Sequence, residues 1–382
     1  MLRVLTLSTL YPTPRRPTFG GFVERQTQAL AARDVEVEVA SGVGVAPWPL
    51  SLHPHYRARR AESGDWNGVF VHRLEFRTLP GIPAGAGKAL ARAWLPYLRT
   101  LRERFAFDVI DAEFFWPDGV AAMHLSRALG VPFSIKARGS DIHHWGNVPA
   151  VRAQMLEAAR EAGGLLAVSA ALKRDMEQLG MPGEKIAVHY TGIDLERFRP
   201  ADRAEAKAAL GVQGPLLVSA GALIPLKGQA LVIEALKALP GVTLLLIGDG
   251  PERARLEALA ASLGDRVRFL GNRPHGELPG VLAAADAMVL ASEREGLANV
   301  WVEALACGTP LVITNVGGAR EVVYGPDAGR LVERNAAAIA EGIRSVLAAP
   351  APVLAVRAFA ERFSWERNAA ELQVHLTGVS GS

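Results

Sequence analysis

From its second residue the chain runs apolar for the length of a strand, Leu2–Ser8, then breaks into a loop, Thr9–Gly21, with three prolines and two glycines. Phe22–Arg33 follows with apolar residues at helical spacing, and Val35–Ala40 alternates as a strand. A strand–helix–strand opening predicts a parallel sheet, because parallel neighbours need a crossover between them. The alternation recurs, with strands at Asp108–Ala112, Pro132–Ala137, Gly164–Ser169 and Lys185–Tyr190. The helices between them are predicted at Asp118–Leu129, Val151–Ala162 and Ala171–Leu179. Thr191–Pro200 reads as a connection. A second series places strands at Leu216–Ala220, Thr243–Ile247, Val267–Leu270, Ala287–Leu290 and Pro310–Thr314. Its helices fall at Gly228–Leu239, Pro251–Ser262, Val300–Ala306 and Ala336–Leu347. The pattern predicts two doubly wound α/β domains joined near residue 195, with ligands outside the carboxyl ends of the strands in a cleft between them.

Composition narrows the chemistry. The 382 residues are 49% hydrophobic and 21% charged, too apolar for a disordered chain. The lone cysteine, Cys307, excludes an internal disulfide and a multi-cysteine zinc site, and fits a reducing, cytoplasmic compartment. The first residues are apolar for too short a run to be a signal peptide, and nothing reaches the ~18 apolar residues of a membrane span. A net charge of +3 does not call for nucleic acid. The surplus is concentrated: residues 53–104 hold ten Lys or Arg (Arg57, Arg59 and Arg60 among them) against four acids. Within this stretch, 88–105 reads as a helix with Trp94, Leu98 and Phe105 among arginines, and Pro96 is expected to kink it or delay its start. Such a helix suits either its own sheet or, at the inner face of a membrane, anionic lipid.

The most informative run is Ser292–Pro310. A strand ends there, a loop carries Glu295, a helix begins, and Glu303 follows eight positions later. The first turn of that helix would offer free backbone N–H groups to an anion. Gly20 and Gly21 follow the first strand, where glycine lets backbone approach a ligand. Lys227 sits between a strand and a helix, placed to meet a diphosphate as a point charge. Gly248-Asp249-Gly250 suggests a dinucleotide fingerprint, but Arg253 stands where the third glycine is required, so that reading fails.

Glu295 to Glu303 resembles the Glu-x7-Glu signature of the retaining family 4 (group 1) glycosyltransferases, and the run through Pro310 resembles that family's conserved block. Phe19–Glu24, Arg138–Ile142, Thr191–Asp194 and Leu226–Gly228 are similar to further segments of the family. The resemblance implies a GT-B fold: two facing Rossmann-like domains, 1–195 for the acceptor and 196–362 for the donor. It also implies that the tail, 363–382 with Trp365, crosses back to the first domain. The donor would be a nucleotide diphosphate sugar, with no further cofactor and no metal. The acceptor would be a hydroxyl of a glycan, a lipid-linked glycan or a small molecule.

By the same resemblance, Lys227 binds the donor diphosphate, Glu303 the ribose hydroxyls and Glu295 the donor sugar. Gly20, Gly21, Gly221, Gly250, Gly296, Leu297 and Asn299 line the donor, while Arg138, Ser140 and Asp141 stand on the acceptor side.

Three positions depart from the family's common pattern. Ala222 stands where many members have an arginine, which leaves Arg294 or Arg320 to replace it. Glu113 and Arg138 stand where histidines are frequent. Glu113 is therefore open as a base, as a group that positions the acceptor, or as the mark of a different substrate. Arg138 is open as an anion ligand or as a structural ion pair with Asp141. A sugar-nucleotide epimerase of the same fold and a non-catalytic nucleotide-sugar-binding protein are the alternatives.

Overall fold

In β1 (Leu2–Leu7), Val4 packs into one apolar cluster while Leu5 and Leu7 pack into another. Successive side chains of a strand point to opposite faces, so a sheet covered on both sides needs apolar residues at nearly every position. A computed structural model of the chain, describing residues 1–48, 61–78 and 83–381, has two sheets of this kind. Arg57, Arg59 and Arg60 of the basic stretch lie outside the described residues.

The first sheet contains β1, β2 (Val35–Val45), β3 (Gly64–Trp66), β4 (Val69–Arg77), β5 (Val109–Ala112), β6 (Phe133–Ala137), β7 (Gly164–Ala167) and β8 (Ile186–Val188). Their spatial order is β3-β4-β2-β1-β5-β6-β7-β8, parallel except for the β3–β4 pair. The order reverses between β1 and β5. The second sheet contains β9 (Leu216–Ala220), β10 (Thr243–Ile247), β11 (Val267–Gly271), β12 (Ala287–Leu290), β13 (Leu311–Thr314) and β14 (Gly329–Val332). Its order is β11-β10-β9-β12-β13-β14, all parallel, and it reverses between β9 and β12.

The first unit comprises Met1–Gly192 and Trp365–Ser382, and the second Ile193–Ser364. The helix Trp365–Ser380 therefore returns to the first unit. There Leu372, Leu376 and Val379 join the cluster formed by Val4, Val23, Leu30 and Val37. Asn368 fixes its start, donating to Tyr190 O and accepting at its own carbonyl from His189 Nε2 at 2.8 Å.

The basic helix runs from Ala86 to Arg104 with Pro96 inside it, so it starts ahead of the proline and not after it. Leu90, Trp94, Leu98, Leu101 and Phe105 are buried in the core, whereas Arg92 and Arg99 are exposed. Arg104 pairs with Glu38 at 2.9 Å, and Tyr97 Oη meets His72 Nδ1 at 2.7 Å. Among the described residues, no helix is long and apolar enough to cross a membrane.

The sequence reading missed β3, β4 and β14, and began one helix too early. Residues Phe115–Gly119 form a wide turn, and the helix proper is Val120–Leu129. In that turn Asp118 is fully buried. One carboxylate oxygen accepts from Thr9 N (3.0 Å) and Thr9 Oγ1 (3.3 Å), and the other has no partner. Burial pushes this carboxyl up to about 7, against the two bonds from Thr9. Its folded value lies above its unfolded one, so its stabilising contribution is complete below the ordinary carboxylate range and lost as pH rises toward 7. Asp118→Asn should remove that loss. Denaturant melts across pH 4 to 7 should show wild type losing a few kcal/mol relative to the variant, at ~1.4 kcal/mol per pH unit. Parallel curves would contradict this.

Candidate active site

Two clusters of charged side chains stand at the two places where strand order reverses. In open parallel sheets, loops on either side of such a point diverge and leave a crevice outside the strand ends.

In the second unit, β9 leads into a loop bearing Gly221 and Lys227, and β12 leads into Ser292–Glu295. Since β9 and β12 are neighbours, Lys227 and Glu295 meet: Nζ donates to Oε1 at 2.5 Å. Ser292 Oγ donates to the same oxygen at 2.7 Å. Two glycines allow this approach. A Cβ on Gly228, with φ +68, would sit 2.2 Å from Ala291 O, and one on Gly317, with φ +51, would sit 1.9 Å from Glu295 O. Gly221 lies beneath Lys227, whose methylenes are 3.9 Å from where a Cβ would be. Gly250 packs its backbone on Leu223. Gly296 O accepts from Gly318 N at 2.8 Å, and Leu297 is buried.

Asn299 opens the helix Asn299–Ala306, which no side chain caps. Trp301 N reaches back to Ala298 O at 3.0 Å, which leaves the N–H groups of Asn299 and Val300 without an intrahelical partner and the end with a partial positive charge. Glu303, 7% exposed on that helix, accepts from His275 Nε2 at 2.9 Å. Sequence reasoning missed His275, which follows β11 in a loop without a motif of its own. It also missed Arg334, which donates to Ala291 O (3.0 Å) and Pro225 O (3.2 Å) and so ties the two loops together. Arg320 is held by Asn315 at 3.0 Å, and Arg294 is exposed.

In the first unit, Glu113 follows β5 and Arg138 follows β6. The two strands are neighbours, and the side chains form a buried ion pair. Of the two readings left open for Arg138, the ion pair with Asp141 is not formed, and its partner is Glu113. The Asp141 carboxylate instead accepts four backbone N–H groups, those of Phe115, Arg138, Gly139 and Ile142. It ties the β5 and β6 loops together, while the guanidinium turns toward Glu113. Ser140, which opens the short helix Ser140–His143, is exposed. Gly20 precedes the helix Gly21–Ala31 and packs on Leu10 and Tyr11, and among the described residues nothing lies within 4 Å of where a Cβ on Gly21 would be.

Both Glu113 oxygens are engaged, one by Arg138 Nη2 and one by Gln26 Nε2. Burial opposes the Glu113 charge, but Arg138 and Lys136 together hold the carboxyl below its usual range. Lys136 is itself fully buried. Burial, aided by Arg138, lowers it to about 7. Its Nζ donates to Gln26 Oε1 at 2.5 Å and to His189 Nδ1 at 2.7 Å. Because His189 Nε2 faces a carbonyl, Nε2 carries the proton and Nδ1 is the acceptor. Burial and Lys136 keep that ring neutral. Asp111, buried with no hydrogen-bond partner on either oxygen, is pushed well up by burial and by the Glu113 charge.

The chain is similar to known proteins along most of its length. Residues 201–367 match the model of "Glycosyl transferases group 1", and residues 21–197 that of "Glycosyltransferase Family 4". A D-inositol 3-phosphate glycosyltransferase of Actinosynnema mirum is 30% identical over 432 aligned positions, covering 97% of this chain and 96% of its own. One from Frankia alni is 31% identical, with 86% and 85% covered. Among solved structures, Anabaena HepE in complex with UDP-glucose matches with a TM-score of 0.71 at 23% identity, over 98% of this chain and all of its own. At that identity the likeness is one of fold. The chain belongs to the group 1 glycosyltransferases, and its two Rossmann-like units are those of the GT-B fold.

Proposed function

We propose that the chain transfers a sugar, with retention of anomeric configuration, from a nucleotide diphosphate sugar to a hydroxyl of a glycan, glycolipid or small acceptor. The observation that carries this reading is the pairing of Lys227 with Glu295 at the β9/β12 reversal, ahead of an uncapped helix that holds Glu303. HepE, a neighbour in fold, is seen with UDP-glucose, which supports a donor of this class.

In this reading residues 196–362 bind the donor and the first unit the acceptor. Glu303 takes the two ribose hydroxyls, since a carboxylate accepts paired O–H donors well. Lys227 and the helix N–H groups take the diphosphate, and Gly20, Gly21, Gly221, Gly250, Gly296, Leu297 and Asn299 shape the donor's surroundings. As the bond from the anomeric carbon to the diphosphate oxygen breaks, that oxygen keeps the electron pair. Lys227 stabilises the growing charge, and Glu295 faces the positive charge developing on the sugar. The acceptor oxygen attacks from the face the diphosphate leaves, and its proton passes to the departing phosphate. Arg138, Ser140 and Asp141 belong to the acceptor side, with Glu113 anchoring Arg138. The reading uses no resident cofactor or metal and places the enzyme in the cytoplasm.

The test is a thermal-shift screen against nucleotide diphosphates and their sugars. A ligand at 100 times its Kd should add ~2.7 kcal/mol of stability. One nucleotide should raise the Tm selectively, and Glu303→Ala should abolish most of that shift. No shift with any nucleotide, or an equal shift in the variant, would overturn the assignment.

A further inference from the structure

One cavity of the first unit is neither of the two clusters above. It has a volume of about 380 Å³ and opens outside the carboxyl ends of β1, β2 and β4. Its walls include the aromatic rings of Tyr11, Phe19, Trp116 and Trp145. Two guanidinium groups, those of Arg16 and Arg73, also line it, and no Asp or Glu is among its described lining residues.

Arg73 is the telling residue. It projects from β4 and is 8% exposed. Nη2 donates to Pro12 O at 2.5 Å, but Nη1 is buried with no hydrogen-bond partner. None of the described ion pairs includes it. Its other neighbours are the faces of Tyr11 and Trp66, at 5.9 and 5.8 Å. Arg16, also on the cavity wall, lies on the Phe19 ring at 3.7 Å.

Burying a cation with an unmade hydrogen bond is costly, and buried charges are ordinarily paired. The nearby carboxylates do not supply the pairing. Glu24 is taken by Trp66 and Asn67, and Asp118 by Thr9. An anion that enters with a ligand would complete the pairing. The aromatic walls add flat apolar surface of the kind that binds the faces of pyranose rings, and the volume suits one or two such rings.

We propose that this cavity binds a sugar carrying a negative charge, with Arg73 as the group that reads the charge and Arg16 as its second contact. This rests on the transferase reading and deepens it: the acceptor would be an anionic saccharide rather than a neutral one. A hexuronate carboxylate and a sugar phosphate share the chemistry, and the test separates them.

Calorimetric titration of the full chain with glucuronate, glucose 6-phosphate, inorganic phosphate and glucose is the experiment. At least one acidic sugar should bind about tenfold or more tightly than glucose, as expected for one charge-assisted contact. Glucuronate ahead of glucose 6-phosphate assigns a carboxylate, and the reverse assigns a phosphate. Arg73→Gln should remove the preference and leave glucose binding unchanged. If that variant does not fold, Arg16→Gln, on the loop, should weaken the same preference. Equal binding of glucose and the acids, inorganic phosphate binding as tightly as glucose 6-phosphate, or a preference that survives both substitutions would overturn the proposal. The nucleotide response separates the two readings. Absence of any acid preference in the wild-type chain, with an intact nucleotide shift, refutes only this cavity's role. An Arg73-dependent preference with no nucleotide shift refutes the transferase mechanism instead.

Discussion

Lys227→Ala is expected to lower turnover about 10²–10³-fold while leaving the fold intact, the usual effect of losing one group that stabilises a departing charge. The size follows from where the lysine sits. Its ammonium is partly desolvated between two loops and already fixed against Glu295, so it needs little reorganisation when the diphosphate gains charge. Its removal has a second effect: the Glu295 carboxylate, left with Ser292 as its hydrogen-bond donor, faces incoming phosphate without a cation. The two effects separate in the double variant Lys227→Ala/Glu295→Gln. Neutralising Glu295 should restore nucleotide affinity but not kcat, because only repulsion in the ground state has been relieved. Binding by calorimetry and turnover with the nucleotide sugar found in the screen would measure both. A wild-type rate in folded Lys227→Ala would remove Lys227 from the chemistry.

The second large effect is on stability. Glu113→Gln should destabilise the first unit by ~3–5 kcal/mol, because it leaves the Arg138 guanidinium buried without its counter-charge. For a unit of this size that is a fall in Tm of roughly 6–20 °C. Lys136 sits in the same cluster and is already lowered to about 7, so it can shed its proton and absorb part of the imbalance. The loss should therefore be smaller at alkaline pH, where Lys136 is neutral, than at pH 6. Replacing both partners, as in Glu113→Leu/Arg138→Met, should cost less than the single change, since neither charge is then stranded. Calorimetric melts of the three proteins at two pH values test this. A single variant as stable as wild type would mean that water already reaches the pair.

The contrast between these two clusters explains what could be read from the chain alone. The strands β9, β10 and β12 were placed to the residue, because each is a short apolar run closed by glycine or by polar loop residues. Strand β4 was not, since His72 and Arg73 break its apolar rhythm although both are buried. Each has a local reason to be inside: His72 bonds Glu38 and Tyr97, and Arg73 lines a cavity. Lys227, Glu295 and Glu303 were legible because their loops resemble those of known enzymes. The partner of Arg138 was not. Sequence proximity offered Asp141, three positions away, as one alternative, whereas the pairing of β5 with β6 brings together the segments that follow them, with Glu113 on one and Arg138 on the other, 25 positions apart. Such pairing depends on strand order, which no local pattern encodes. His275 and Arg334 were missed for the same reason.

The return of the helix Trp365–Ser380 to the first unit also sets an order of events during synthesis. A ribosome delivers residues 193–364 complete before the helix that seals Val4, Val23 and Val37 has emerged. Domains usually fold in the order in which they are made. Here the second unit can close its core first, while the first waits with an apolar face uncovered. The stretch in between is, topologically, an insertion within the first unit, so joining residue 382 to residue 1 and opening the chain near residue 192 would make that interrupted unit continuous.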